Sequence, residues 1–453
     1  MVVVPCVVRQ AARVGVRPGR RALAAVAVPP WPQRYQRQED LPLAARLTRA
    51  RADPDGHVHV GWADGTEHKL HRKWLRDVDP ALTNPTSLQR EATPEQLAAA
   101  HVADAWVDDQ GALHVTFQES DGPSRVVLDQ AWLALHTRGQ RATATNPAPA
   151  WRPTPAPLSL AEIETLLPTH LPSPGDFAPR RIPRSQLLED PLPALTAVQE
   201  DGMVIITDMP TCDLRDPDTS TQQPLIEATA LAMRQFGQLQ RTFYSDGLWD
   251  TAPKDAADVN DTAYTNLGLP LHTDATYMRE PPGLQLFCCT AQSSDGGASL
   301  FGHVNLVLKA LYEQEPDLLT YCFNTPWAFQ ALETNVHYHA MGPIFGAEAP
   351  QDVVMRFNPT DRAAMPQLTF DELEAYYHCL ERLTALLASP KCLYHSERLA
   401  VGEMAVINNH KVLHGREAFV GHRNLVGCYV TMDEFQSRLR LAGPDQHDPR
   451  RHA

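Results

Sequence analysis

Asp261-Thr-Ala-Tyr-Thr-Asn-Leu-Gly-Leu-Pro-Leu-His-Thr-Asp-Ala-Thr-Tyr277 carries at its centre the tripeptide His272-Thr-Asp274. On a strand, residues i and i+2 project from the same face, so His272 and Asp274 can approach one ion from one side. A third ligand must then come from another strand. Val406-Ile-Asn-Asn-His-Lys-Val-Leu-His414-Gly415 supplies it, 140 positions beyond Asp274. His410 competes for the role, since 410 and 414 face the same way on a strand. His414 is preferred because Gly415 permits a close backbone approach.

Two imidazoles and one carboxylate on one face leave three positions of a six-coordinate ion open. Non-haem Fe(II) oxygenases use that arrangement, which admits both a bidentate co-substrate and O2. Arg423 lies nine residues beyond His414, one hairpin away. Its guanidinium fork suits a dicarboxylate better than a lysine would.

Around these residues the chain from about 160 to 440 reads as many short strands with Gly and Pro punctuation. Gly202-Met-Val-Ile-Ile-Thr207 is a buried strand, and Leu284–Cys289, Val353–Phe357, Met404–Asn408 and Leu425–Thr431 are others. Two helices brace them. Leu225, Ala228, Ala232, Phe236 and Leu239 have helical spacing, and Leu373, Tyr376, Tyr377, Leu380, Leu383 and Leu387 share one face. Thr369 and Glu372 form a capping box at the start of the second. The expected fold class is mainly β with flanking helices: a β-barrel or jelly roll braced by helices, with a small β-rich N-terminal domain.

The chain has 453 residues, 43% of them hydrophobic, which suggests two or three domains. Residues 39–136 form the N-terminal unit, with alternation in His57-Val-His-Val-Gly-Trp62 and Leu113-His-Val-Thr-Phe117 and Asp-Gly turns between. A Pro-rich linker follows at 137–160, with five prolines between 147 and 157. The catalytic domain is expected over 161–445. The formal charge is −14, and the seven arginines of 1–38 stand there without a single acid, so the rest of the chain carries the whole acidic excess. An acidic body argues against nucleic acid as a partner, and no apolar run is long enough for a membrane span. Residues 1–38 have the Arg-rich, acid-free character of an organellar presequence, so a mitochondrial location is expected, with the cytoplasm as the alternative. Eight cysteines without a CxxC pair fit reduced thiols in an intracellular compartment.

With His272, Asp274, His414 and Arg423 in hand, the chain resembles the Fe(II)/2-oxoglutarate dioxygenases of carnitine biosynthesis, γ-butyrobetaine hydroxylase and trimethyllysine dioxygenase. The likeness covers about 45–440 and implies a double-stranded β-helix (jelly roll) catalytic domain behind a small N-terminal domain. It is strongest over 261–277 and Val412-Leu-His-Gly-Arg-Glu-Ala-Phe-Val-Gly-His-Arg423, and leans toward the trimethyllysine branch. The resemblance implies that His272, Asp274 and His414 hold Fe(II), and that Arg423 binds the far carboxylate of 2-oxoglutarate. It places Ser299 at a hydroxyl position beside that carboxylate, where a plain turn serine is the other reading. Ascorbate is the implied reductant. Tyr244, Trp249, Tyr264 and Tyr429 match an aromatic cage for a trimethylammonium group, which has no N–H to donate and is held by ring faces. Asp261 and Asn358 match contacts to the other end of the substrate. An acidic Asp261 favours a free α-ammonium, present in trimethyllysine and absent from γ-butyrobetaine.

Three departures stand out. Residues 39–160 contain no Cys, so no structural zinc is expected, and His57, His59, His68 and His71 read as solvated strand histidines. Asn408-Asn-His410 replaces the family's Asp-Asn-Trp, and Ala275 stands where the butyrobetaine branch has an aromatic, its wall left missing or supplied by Tyr277. The expected partners are a small trimethylammonium substrate and O2, with no nucleic acid or membrane, and a homodimer is compatible. The alternatives are γ-butyrobetaine hydroxylation, a zinc hydrolase, and a non-catalytic jelly-roll protein binding quaternary ammonium ligands.

Overall fold

A computed structural model describes residues 46–443 apart from 85–88, 120–121, 138–156, 169–173, 176, 217, 252–261, 333–335, 348–351 and 366–368. The presequence-like 1–38 stretch, most of the expected linker, and Asp261 lie outside the described residues.

Two facing sheets carry the C-terminal two thirds. The larger has six strands in the order Arg181–Pro183, Met203–Thr207, Met404–Asn408, Leu284–Ala291, Asn424–Val430 and Trp249–Asp250. The smaller has four, in the order Leu269–His272, Val412–Arg416, Ser299–His303 and Leu393–Glu397. Pairing is antiparallel throughout, except where Arg181–Pro183 runs parallel to Met203–Thr207. Neighbours in space are far apart in sequence, as expected of a jelly roll.

The large sheet is covered on both faces, which is why Met203-Val-Ile-Ile-Thr207 has no polar alternation. Met203, Ile205, Phe287, Ala405 and Ile407 pack with Phe301 and Val412 of the small sheet. Val204, Ile206, Leu286, Met404 and Val406 turn the other way, onto Leu195, Val198, Met233 and Phe435. Those four come from or beside three helices, Leu192–Asp201, Thr219–Met233 and Met432–Ala442. The second of these ends earlier than the apolar spacing suggests. Phe236 and Leu239 lie beyond the Arg234 cap, and Gly237 at φ 148° turns the chain away. The Phe370–Leu387 helix begins at the expected box: Glu372 N–H donates to Thr369 Oγ1 (3.3 Å) and Thr369 N–H to Glu372 Oε2 (2.7 Å).

The N-terminal region contains two three-stranded antiparallel sheets: Leu47–Ala52, Val58–Trp62 and Glu67–Leu70, then Val102–Val107, Leu113–Phe117 and Ser124–Leu128. Its core is continuous with that of helices Val304–Gln314, Pro316–Asn324 and Phe370–Leu387. At the seam, buried Asp77 accepts from Arg362 Nη2 (2.9 Å) and from Tyr377 Oη (3.1 Å), with Arg90 3.9 Å away. The same seam corrects the expectation of solvated histidines. His71 is fully buried, caps the Arg72–Asp77 helix and hydrogen-bonds Glu374, while buried His57 sits edge-on to Phe370 at 4.6 Å. His59 and His68 are part-buried partners of Asp53 and Trp62. The Phe370–Leu387 helix covers the strand face those positions would otherwise expose. No helix among the described residues is long and apolar enough to cross a membrane.

Candidate metal and substrate site

His272 ends the Leu269–His272 strand and lies directly opposite His414 in the neighbouring Val412–Arg416 strand. The two imidazole centroids are 4.4 Å apart. Asp274 is not on the strand. It sits in a bend two residues on, so it meets His272 through that bend and not through a shared strand face. Asn409 holds the bend: its Oδ1 accepts from Asp274 N–H (2.9 Å), and its Nδ2 donates to the carbonyls of Asp274 (3.2 Å) and Pro282 (3.0 Å). Ala275 follows at φ 55°, a left-handed backbone that costs a non-glycine residue energy and persists because its surroundings fix it.

His272 Nε2 is 3.4 Å and His414 Nε2 3.6 Å from Asp274 Oδ1, and the three ligand atoms lie within 4.8 Å of one another. Metal bonds of about 2.1 Å at right angles put neighbouring ligand atoms about 3 Å apart, so a small closure brings all three onto one ion. Other bonds leave the right atoms free. His272 Nδ1–H donates to the Pro270 carbonyl (2.8 Å), which directs the Nε2 lone pair at the site. Asp274 Oδ2 accepts from Tyr429 Oη (2.6 Å) and from the Gln285 amide, leaving Oδ1 for an ion.

The electrostatics suit a cation. Burial pushes the Asp274 carboxyl up, but the nearby His414 and His272 and the bond from Tyr429 outweigh it and hold it well below the usual range. Burial brings His414 down to about 4, so its ring is neutral near pH 7 and able to act as a ligand. His410 is excluded by position. It precedes the Val412–Arg416 strand in a turn, and its Nε2 faces the Pro281 carbonyl at 3.2 Å.

All three ligand residues open into a cavity of about 510 Å³. Arg423, just before the Asn424–Val430 strand, lines it and is 4% exposed. Its Nη2 donates to Ser299 Oγ at 3.3 Å, its guanidinium lies 6.0 Å from the Phe419 ring centre, and its Nε is buried without a partner. Burial lowers its pKa to about 10, so it remains a cation. A buried guanidinium whose hydrogen bond among the described residues goes to a neutral hydroxyl is matched to an anion.

Tyr244, Trp249, Tyr264, Asn358 and Tyr429 line the same cavity. Trp249 and Tyr429 stand 5.5 Å apart, and Tyr244 Oη donates to Tyr429 Oη at 3.4 Å. Trp249 stacks where Gly427 has no side chain; a Cβ there would lie 2.4 Å from the indole. Asn358 Oδ1 is engaged by Thr360 N–H (3.0 Å) and Oγ1–H (2.8 Å).

Sequence reasoning missed several contributors. Gln285 and Asn409 steady Asp274, and the Asn408-Asn409 pair was the available signal. Phe243 and Tyr338 are two more: they cluster with Tyr277, the residue expected to stand in beside Ala275, at centroid distances of 5.5 to 6.2 Å, and Phe243 and Tyr277 line the cavity where Ala275 offers no ring. Arg416 ties down the wall by donating to the carbonyls of Ala263 (3.1 Å), Thr265 (2.9 Å) and Leu267 (2.8 Å). Asp361 and Gln89 also reach the cavity, the latter from the N-terminal region.

Residues 169–429 match the family described as taurine catabolism dioxygenase TauD, TfdA family. Trimethyllysine dioxygenase, mitochondrial, of Gallus gallus is 31% identical over 226 residues, 49% of this chain and 53% of that protein. The chain thus spans about half the length of the trimethyllysine dioxygenases it matches. Gamma-butyrobetaine dioxygenase of Pseudomonas sp. (strain AK-1) is 27% identical over 412 residues, 88% of this chain and 96% of that one. Among solved structures, the non-heme iron oxygenase OrfP with Fe and alpha-ketoglutaric acid aligns at TM-score 0.41 and 16% identity, covering 56% of this chain and 82% of that one.

Proposed function

Because the chain belongs to the TauD/TfdA dioxygenase family, we propose that it hydroxylates N6,N6,N6-trimethyllysine at C3, using Fe(II), 2-oxoglutarate and O2. One observation carries this more than any other: the His272, Asp274 and His414 ligand atoms share one cavity with a buried, anion-seeking Arg423. A hydrolytic zinc site gives that arginine no task. A binding protein has no need of a carboxylate whose second oxygen is fixed so that the first stays free.

In this account His272, Asp274 and His414 hold Fe(II) through Nε2, Oδ1 and Nε2. The bound metal supplies activation of O2 coupled to oxidation of 2-oxoglutarate. Arg423 neutralises the far carboxylate of the co-substrate, with Ser299 orienting the guanidinium. Tyr244, Trp249, Tyr264 and Tyr429 present ring faces to the trimethylammonium group, contacts worth up to about 2 kcal/mol when desolvated. Asn358, its oxygen engaged by Thr360, offers amide donors to the substrate carboxylate. Holding both ends fixes which carbon faces the metal, and that positioning supplies selectivity. Ascorbate serves as reductant. A mitochondrial location is part of this proposal, supported by the acid-free arginine-rich 1–38 stretch.

A paired turnover assay tests it. Trimethyllysine is expected to drive Fe(II)-dependent succinate formation more efficiently than γ-butyrobetaine. Faster turnover of γ-butyrobetaine would assign the chain to the other branch, and turnover of neither would remove both.

A further inference from the structure

One part of the cavity wall is polar and carries a charge for which the account above has no use. Asn358, Thr360 and Asp361 form a tight turn there, and Gln89 arrives beside them from the N-terminal region. Arg90, the next residue, fixes the junction: its N–H donates to Thr360 O (3.1 Å) and its Nε to Arg362 O (3.0 Å). Asp361 is buried. Its Oδ2 accepts from Thr276 Oγ1 (2.8 Å), and its backbone carbonyl accepts from Gln330 N–H (2.8 Å). Asp361 lines the same cavity as His272, Asp274 and His414. Arg356, whose guanidinium donates to the Thr276 and Met278 carbonyls, lies within its field as well.

Amide donors and a carboxylate three residues apart on one turn are the chemical complement of a zwitterion. The amide suits a carboxylate, and the carboxylate suits an ammonium, in a desolvated setting where charge-assisted bonds are strong. In an α-amino acid the α-nitrogen is two bonds from C3. A group that holds that nitrogen while C3 is oxidised must therefore open into the cavity that holds the three ligand residues, as Asp361 does. We propose that Asp361, beside Asn358, is the specificity-determining partner of the substrate's α-ammonium, with Gln89 closing this subsite from the N-terminal region. The identity of the substrate rests on the function proposed above; the subsite's preference for α-amino acids does not.

Anaerobic calorimetry on the full chain with Fe(II) and 2-oxoglutarate tests it with two ligand pairs: trimethyllysine against its desamino analogue 6-(trimethylammonio)hexanoate, and norleucine against hexanoate. The wild type is expected to prefer the amino member by about tenfold or more, the worth of one charge-assisted bond. Asp361→Asn should abolish that preference and leave the desamino affinities within about twofold. Gln89→Lys, which leaves the Asp361–Thr276 bond intact, should cut the preference about fivefold by bringing a cation to the same wall, and it serves if Asp361→Asn does not fold. Retained preference in these variants, or its loss in Asp261→Asn alone, overturns the proposal. A preference confined to the norleucine pair would sink trimethyllysine as substrate while leaving the subsite standing.

Discussion

Tyr429 Oη donates to Asp274 Oδ2 at 2.6 Å, from a strand position directly opposite Gln285, whose amide reaches the same oxygen. The carboxylate is thereby fixed by two donors on neighbouring strands of the large sheet, while the histidines that share its other oxygen belong to the small one. The proposed metal site straddles the sandwich. Loss of Tyr429's hydroxyl should loosen Asp274 without unfolding the sheet. Tyr429→Phe is expected to weaken Fe(II) binding about 10- to 100-fold, the usual cost of removing a group that orients a ligand. Anaerobic Fe(II) titration checks this, and unchanged affinity would deny the tyrosine its orienting role.

Arg423 is a buried cation that donates to Ser299 Oγ. Arg423→Met should raise the KM for 2-oxoglutarate by about 100-fold or more, since a desolvated charge-assisted pair is worth several kcal/mol. Fe(II) affinity should stay near wild type. Ser299→Ala should cost only a few-fold. Co-substrate titrations at saturating metal separate these outcomes.

Asp77 is buried against Arg362, Arg90 and Tyr377, and joins the N-terminal region to the turn beside the cavity. Burial raises its pKa, but Arg362 and Arg90 more than reverse that and hold the carboxyl below its usual range. Removing one partner strands the other charge, so Asp77→Ala is expected to destabilise by about 3–5 kcal/mol. Chemical denaturation measures it. The paired replacement Asp77→Leu with Arg362→Met should recover much of the loss.

Acid sensitivity should come partly from histidines buried as neutral rings. Burial, with Lys411 adding to it, brings His303 down to about 4, and burial does the same for His136. Each group's unfolded pKa is about 6.5, so between 6.5 and 4 the unfolded chain binds more protons than the folded one. Their contribution is complete above pH 6.5 and is lost as pH falls toward 4, by up to about 1.4 kcal/mol per pH unit for each. His303 Nδ1 caps the Val304–Gln314 helix by accepting from Asn305 N–H at 3.1 Å, a role asparagine can fill. His303→Asn should therefore shrink the fall in urea midpoint between pH 7 and pH 5. An identical fall in the variant would remove His303 as a cause.

That His272, Asp274 and His414 come together was legible because they are a chemically rare trio, and strand periodicity was enough to pair the first two. Their actual arrangement was less legible. Asp274 sits in a bend held by Asn409, and His410 in a turn, since register and bends depend on contacts more than a hundred residues away. The buried strand 203–207 could be read from apolar residues alone, because both faces are covered. Burial of His57 and His71 could not be read, because it is imposed by a helix that begins at Phe370. Asp361 was hidden for the same reason: nothing local to Thr360-Asp361-Arg362 says that a cavity lies beside it.

The central claim is that His272, Asp274 and His414 hold one Fe(II). Anaerobic Fe(II) titration of the wild type and of single alanine variants tests it most directly. One ion per chain is expected, lost in His272→Ala, Asp274→Ala and His414→Ala and retained in His410→Ala. Undiminished binding in the first three, or its loss in His410→Ala alone, would contradict the account.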